Sequence, residues 1–418
     1  MFWSRASVPN GLRIILARNP IIRRITIFGV TRKNLLSLFL AVFIFAITFL
    51  VYKAVYPNPR NWYDHYLYLA RAFMQGRVNL TDLPSFYQDT ITIGNKVYVP
   101  FPPAPAVVLI PFITLNKFTT QQEVSVLLGS FDAVLVFYLL MKFIDRKKAF
   151  ILTIFFSFGT AFFWASVVGT TWYFAHVVAL LFLVCSLIFH FDKKDVLSGI
   201  FFSLAVLSRY PILLGAIFFA LQLWKDKKRF LKFFAAAASL APAHFIYAYL
   251  RFQSFFRTGY VEVYESYLHT NYPYTILQAI NPKYPLFGYL DLRNIPLHLF
   301  TFLIEPPIVT QTLNVYPSPY GMGIIFTTPL LFLALRLPFK QGMERNLFIG
   351  ALAISIIDFL HYMQGWVQFG YRFVLDFLPF LLIILSLRFK MTKAQMLLIV
   401  ISILVTSWGV NFAINAGW

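Results

Sequence analysis

The chain is poor in charge. Only 12% of its 418 residues are Asp, Glu, Lys or Arg, while 59% are hydrophobic and 19% aromatic. Soluble domains carry about twice that charged share, so a soluble globular protein is excluded and a polytopic membrane protein expected. Acid is scarcer than base, 16 residues against 36. There is one cysteine, Cys185, in an apolar run. It offers no internal disulfide and leaves the redox compartment unread. Internal repeats, low-complexity linkers and a short apolar core with a small-residue cleavage site are all missing. No His/Cys cluster has zinc spacing and no DxD pair points to a divalent ion. No cofactor is therefore expected, with a divalent metal left open.

The excess of base is distributed in short clusters between apolar spans, as the positive-inside rule expects. That reads as topology and contact with membrane lipids, and no nucleic-acid partner is expected. Arg5, Arg13, Arg18, Arg23, Arg24, Arg32 and Lys33 precede the first span, Asn34 to Val55. This places a basic N-terminus, residues 1–33, in the cytoplasm. Further basic clusters near residues 142–148, 193–194, 225–232, 336–345 and 388–393 alternate with apolar runs. The runs are 124–141, 149–166, 174–191, two half-spans within 196–224, 230–250, 323–337, 347–364, 373–387 and 394–412. The expectation is an all-α bundle of about 11 transmembrane helices with the C-terminus outside the cell.

Three further divisions are expected: a membrane module over 34–250 with an outer loop 56–123, a second large outer segment over 251–322, and C-terminal helices over 323–418. Ala104–Phe118 is apolar but short, with Pro105 and Pro111, so it is expected to lie at the interface rather than cross.

The first outer loop holds the candidate chemistry. In YDHYLYLARAFMQG an amphipathic helix should end at Gly76. At helical spacing Asp64, Tyr68 and Arg71 would share a face. A carboxylate near an apolar boundary can have a raised pKa and act as a base; helix capping or pairing with Arg71 is the alternative. GTTWYFAH places Trp172, Tyr173 and His176 at an outer boundary, either as an aromatic belt or as substrate contacts. Arg209 sits between two apolar half-spans and needs an anionic partner, a phosphate or a protein carboxylate. The loop Gln364–Arg372 offers Gln368 and Tyr371 for hydrogen bonding and stacking, and Arg372 as a second anion contact. Asp132, Asp358 and Asp376 lie within spans, where pairing inside the bundle is expected. Glu305 is a weaker candidate.

The order of these pieces resembles the C-type (GT-C) polyprenol-phosphate-dependent glycosyltransferases, of the protein O-mannosyltransferase and aminoarabinose-transferase kind. The resemblance rests on YDHYLYLARAFMQGR after the first span, the proline-rich FPPAP, LSRYP at mid-chain and the late GYRFVLDFLPFLL. It covers about residues 34–390. It implies a GT-C-like fold with interfacial helices in the first outer loop. It also implies a cell-envelope enzyme moving a sugar from a polyprenyl-phosphate donor to an acceptor hydroxyl on the outer face. The acceptor would be a glycan, a lipid or a protein. Asp64 would be the general base. Arg209, with Arg372 and Arg71, would meet the donor phosphate, and His65, Tyr68, Trp172, Tyr173, His176, Gln368 and Tyr371 would contact substrate. The sequence departs from that pattern in two places: His65 follows Asp64 where many relatives have a second acid, and GTTWYFAH lacks the acid common in the next outer loop. A lipid-linked glycan transporter or flippase, and a glycan polymerase or ligase centred on 251–322, are the alternative functions.

Overall fold

A computed structural model describes residues 32–59, 62–269, 287–337, 339 and 342–418. The basic cluster before Arg32, Lys340 of the 336–345 cluster, and residues 270–286 of the expected second outer segment fall outside them. Two compact units are distinguished, Met1–Phe43 and Ile44–Trp418. Of the first unit only the start of a helix is described. The elements from residue 44 onward belong to the second.

The described chain is mostly helical, with two short two-stranded hairpins. Helix α1 (Arg32–Val55) leads to α2 (His65–Met74), a two-stranded hairpin (Ile91–Ile93 with Lys96–Tyr98) and α3 (Ala104–Leu115). The chain continues through α4 (Gln121–Leu140), α5 (Arg146–Phe158), α6 (Ala161–Val168), α7 (Thr171–Phe191) and α8 (Asp195–Val206). After a 3-10 turn, Tyr210–Gly215, come α9 (Ala216–Leu223), α10 (Lys227–Ala238), α11 (Ala241–Phe252) and α12 (Tyr260–His269). The last part holds α13 (Ile295–Leu303), α14 (Gly342–Leu360), a 3-10 turn at Arg372–Asp376, α15 (Leu378–Arg388) and α16 (Lys393–Ala416).

Helix starts reflect local chemistry. Thr120 and Glu123 form a reciprocal cap on α4, and Thr392 and Gln395 do the same on α16. Asp145 accepts from Lys148 N at the head of α5. Close packing needs small residues. A Cβ on Gly199 of α8 would sit 2.3 Å from the Phe233 carbonyl of α10, so glycine lets these two helices touch.

This is a membrane protein. Five helical stretches among the described residues are long and apolar enough to cross: Leu35–Val55, Gln121–Leu140, Thr171–Phe191, Lys227–Phe252 and Lys393–Ala416. A sixth arises if α5 and α6, bent by 58°, are one span. The eleven expected crossings are not all continuous helices. Residues 323–337 form only single turns, Ile324–Thr327 and Phe332–Leu335, around a 3-10 turn at Pro329–Leu331. Pro329 has no N–H to give and blocks helix continuation. The 196–224 run breaks at Arg209, as Pro211 requires. Helix α3 has 12 residues, roughly 18 Å at 1.5 Å per residue, well short of a bilayer core.

Candidate functional site

Several helix ends converge on one cavity of about 950 Å³. It is lined by the turn before α2 (Trp62, Tyr63, Asp64), by Gln88 and Asp89 ahead of the hairpin, and by Trp172 and Tyr173 at the start of α7. The break after α8 brings Arg209 and Tyr210, the end of α14 brings Asp358 and His361, and the next 3-10 turn brings Arg372 and Phe373. Most of the wall is apolar or aromatic, with few charges, as small-molecule sites usually are.

Asp64 occupies the residue just before α2. Its side chain makes no capping hydrogen bond. It is only 5% exposed, and it takes part in none of the described ion pairs. Burial pushes its carboxyl up to about 7, with the Arg71 charge acting the other way. The backbone around it is tightly held instead. Its N–H donates to the Tyr87 hydroxyl (2.9 Å). His65 N donates to Thr171 Oγ1 (2.9 Å), and the His65 ring also bonds Thr171 Oγ1 and the Gln88 carbonyl. Thr171 in turn donates, through N–H and hydroxyl, to the Tyr63 carbonyl. Tyr63 itself is left-handed, φ 58°, a conformation a bulky residue holds only when its neighbours impose it.

The shared face expected for Asp64, Tyr68 and Arg71 does not form. Asp64 is outside the helix, with φ −92° and ψ 43°, so helical spacing does not aim its side chain. Arg71 is exposed and turned towards the Lys117 carbonyl. Neither Arg71 nor Tyr68 lines the cavity. His65 is fully buried, with both ring nitrogens engaged, which positions the chain beside Asp64.

Arg209 has a protein partner. Its guanidinium grips Asp376 through Nε (3.0 and 3.2 Å) and a terminal nitrogen (2.8 Å), and lies 3.7 Å from Asp358. His176 completes the group, its Nδ1 2.8 Å from Asp376 Oδ1, and neither side chain is exposed. The mid-chain LSRYP and the late GYRFVLDF segments thus meet, 167 residues apart, through one fork-shaped pair. Asp358 and Asp376 pair inside the bundle as expected. Asp132 does not: both its oxygens are buried with no hydrogen-bond partner among the described residues.

Arg372 contrasts with Arg209. It stacks over Tyr173 (5.6 Å) and Phe373 (5.1 Å), takes part in none of the described ion pairs, and its Nε has no hydrogen-bond partner among the described residues. Tyr173 donates to the Val367 carbonyl (2.9 Å), and Trp172 Nε1 to Asp89 Oδ2 (2.6 Å). Gln368 is buried, donating to the Tyr320 and Gln364 carbonyls, and Tyr371 bonds His298. Neither of these two, nor His176, lines the cavity. Sequence reasoning missed Trp62, Gln88 and Asp89. Only the polar run before the hairpin hinted at them.

No family model and no curated protein matches this sequence. Solved structures do. The Archaeoglobus fulgidus oligosaccharyltransferase tethered to an acceptor peptide with an NVT sequon aligns over 89% of this chain and 55% of its own, with TM-score 0.52 and 14% identity. This chain has a GT-C-type fold. The apo form of the same archaeal enzyme aligns over 90% and 55%, TM-score 0.48 and 14% identity. ArnT from Cupriavidus metallidurans bound to undecaprenyl phosphate aligns over 82% and 59%, TM-score 0.43 and 14% identity. The chain spans little more than half the length of each neighbour.

Proposed function

We propose that this protein is a membrane glycosyltransferase that moves a sugar from a polyprenyl-phosphate donor to an acceptor hydroxyl. The observation that carries the reading is one cavity holding a buried carboxylate, Asp64, and an arginine, Arg372, that both stand outside every described ion pair. In this reading Asp64 takes the proton of the acceptor hydroxyl. The hydroxyl oxygen bonds to the sugar's anomeric carbon as the bond from that carbon to the phosphate oxygen breaks. The charge left on the lipid phosphate is met by Arg372. Arg209 serves second, because Asp376 and Asp358 already compensate its charge. A carboxyl near 7 suits a base working at neutral pH. The GT-C-type fold is in keeping with such a donor.

The cavity is framed by the start of α7 and the ends of α8, α14 and α16, all of which the basic clusters assign to the outer side. That supports an extracytoplasmic site. A cysteine at Asn79 should label from outside the cell and one at Lys147 should not; the reverse pattern overturns the sidedness. The functional test is radiolabelled transfer from a polyprenyl-phosphate sugar in membranes carrying the wild type or Asp64→Asn. The wild type should transfer and the variant should nearly stop. Equal transfer by both removes Asp64 as the base.

A further inference from the structure

The end of α14 carries polar groups that the transfer step does not use. Asp358 lies in that helix and His361 just beyond it, and both line the cavity together with Arg209. Asp358 is 2% exposed. Its Oδ1 stands 3.7 Å from Arg209, too far for a hydrogen bond, and its Oδ2 has no hydrogen-bond partner among the described residues. Buried carboxylates ordinarily accept donors on both oxygens. Charge balance alone does not account for this one, because Asp376 already grips Arg209 through two nitrogens. A second buried acid beside the same arginine is costly unless it finds a donor of its own.

His361 offers a matching group. Its ring Nδ1 is 3.0 Å from the Met363 carbonyl, a shorter contact than the 3.3 Å to the Met363 N–H. In the neutral ring, a proton on Nδ1 donating to that carbonyl leaves Nε2 as an acceptor. Residues 289–298 hold the backbone here. Asp291 N donates to the Leu360 carbonyl (2.9 Å), Tyr362 N donates to the Tyr289 carbonyl (3.0 Å), and the His298 ring bonds the His361 carbonyl (2.8 Å).

This corner adjoins the phosphate contact. The Phe373 ring carries the Arg372 guanidinium at 5.1 Å, that of Arg209 at 5.5 Å and the His361 ring at 5.9 Å. The first sugar of a glycosyl phosphate is joined to phosphorus through one oxygen. Side chains that flank the phosphate contact therefore flank that sugar ring as well.

Resting on the glycosyltransferase reading, we infer that Asp358 and His361 select the donor's sugar. Both are acceptors, so the sugar they take presents donors to them: neighbouring hydroxyls, or an amine in place of one. A sugar that lacks a donor at either position leaves a buried acceptor unpaired and is rejected.

The test is binding of short prenyl-phosphate sugars to the full chain in lipid nanodiscs, by calorimetry. Gluco-, manno- and galacto-configured donors run beside prenyl methyl phosphate, which keeps the charge and has no sugar. At least one glycosyl lipid should bind more tightly than the methyl ester. Replacing one of its hydroxyls by fluorine, which cannot donate, should weaken it about tenfold, the effect of a hydrogen bond to a charged group. In Asp358→Asn the same replacement should matter by about threefold or less. Parent and fluorinated donors are compared within each variant, so a loss of folded protein does not move the ratio. His361→Phe, which keeps a ring against Phe373, should remove the fluorine effect at a neighbouring hydroxyl. An amino-sugar donor separates the two sources of the contact. Tighter binding than its hydroxyl parent, lost in Asp358→Asn, identifies an amine; weaker binding identifies a hydroxyl. No glycosyl lipid binding more tightly than the methyl ester, or fluorine effects of equal size in wild type and Asp358→Asn, overturns the inference. Sugar transfer is followed in membranes carrying the same variants. Transfer without the Asp358 dependence sinks this inference alone. Asp358-dependent sugar binding without any transfer sinks the glycosyltransferase reading alone.

Discussion

Asp64 and Asp376 are two buried carboxylates in very different company. Asp376 is held by the Arg209 fork and by His176, all from elements distant in sequence. Asp64 lines the cavity outside every described ion pair, while the chain around it is pinned by His65, Thr171 and Tyr87. The comparison separates framework from chemistry. A buried ion pair with its partners in place ties segments together, and removing one member leaves an uncompensated charge. A buried acid outside such a pair is poised to titrate. The two arginines divide the same way: Arg209 is compensated by acids, and Arg372 stacks on rings within the cavity.

The largest break should come at Asp64. Asp64→Asn keeps the shape and cannot accept a proton, so transfer should fall by roughly 10²–10⁴-fold. Its thermal stability should not fall. A carboxyl raised to about 7 in the folded chain destabilises the fold as pH rises from its unfolded value near 4 to about 7. An amide there should melt at the same temperature or higher at pH 7. A large drop in melting temperature would make Asp64 structural. Asp376→Ala should do the opposite, losing roughly 3–5 kcal/mol of stability, read as reduced folded yield and melting temperature in detergent. If it folds normally, the framework assignment fails.

Next comes Arg372→Ala. Donor-lipid affinity should fall by about 2 kcal/mol, roughly thirtyfold, in a flotation or calorimetric assay, with Arg372→Lys intermediate. Arg209→Ala should lower folded yield before it lowers donor affinity; unchanged yield with lost affinity would exchange the two roles. The smallest effect belongs to Thr171→Val. It removes the hydroxyl that braces Tyr63 and His65, so kcat should drop by about tenfold, with donor affinity held. A loss of donor affinity instead would place Thr171 in the binding wall.

Much of this was legible in the sequence, for reasons particular residues show. Asp64 stood out because acids are rare and it lies just after the first span. The short helix at Ala104–Leu115 was readable from its length and prolines. Gly76 ended α2 as expected, with φ 68°. Arg209 was marked by the breaking proline, but not its partner: a contact 167 residues apart leaves no local trace. The Asp64–Arg71 face failed because spacing rules hold inside a helix, and Asp64 lies one residue before it. The broken stretch near Pro329 shows composition overruled by a missing N–H. Trp62, Gln88 and Asp89 gather by tertiary folding around the hairpin, which no periodicity reports.

The proposed chemistry depends on the buried Asp64 acting as the base. Its most direct test is the pH dependence of kcat/KM for sugar transfer, which reports essential groups of the free enzyme. Asp64 must be ionised to act, so activity should rise with pH at unit slope and level off above about 7. The residual activity of Asp64→Asn should lack that limb. A flat wild-type profile between about pH 5.5 and 8, or the same limb in the variant, would contradict the account.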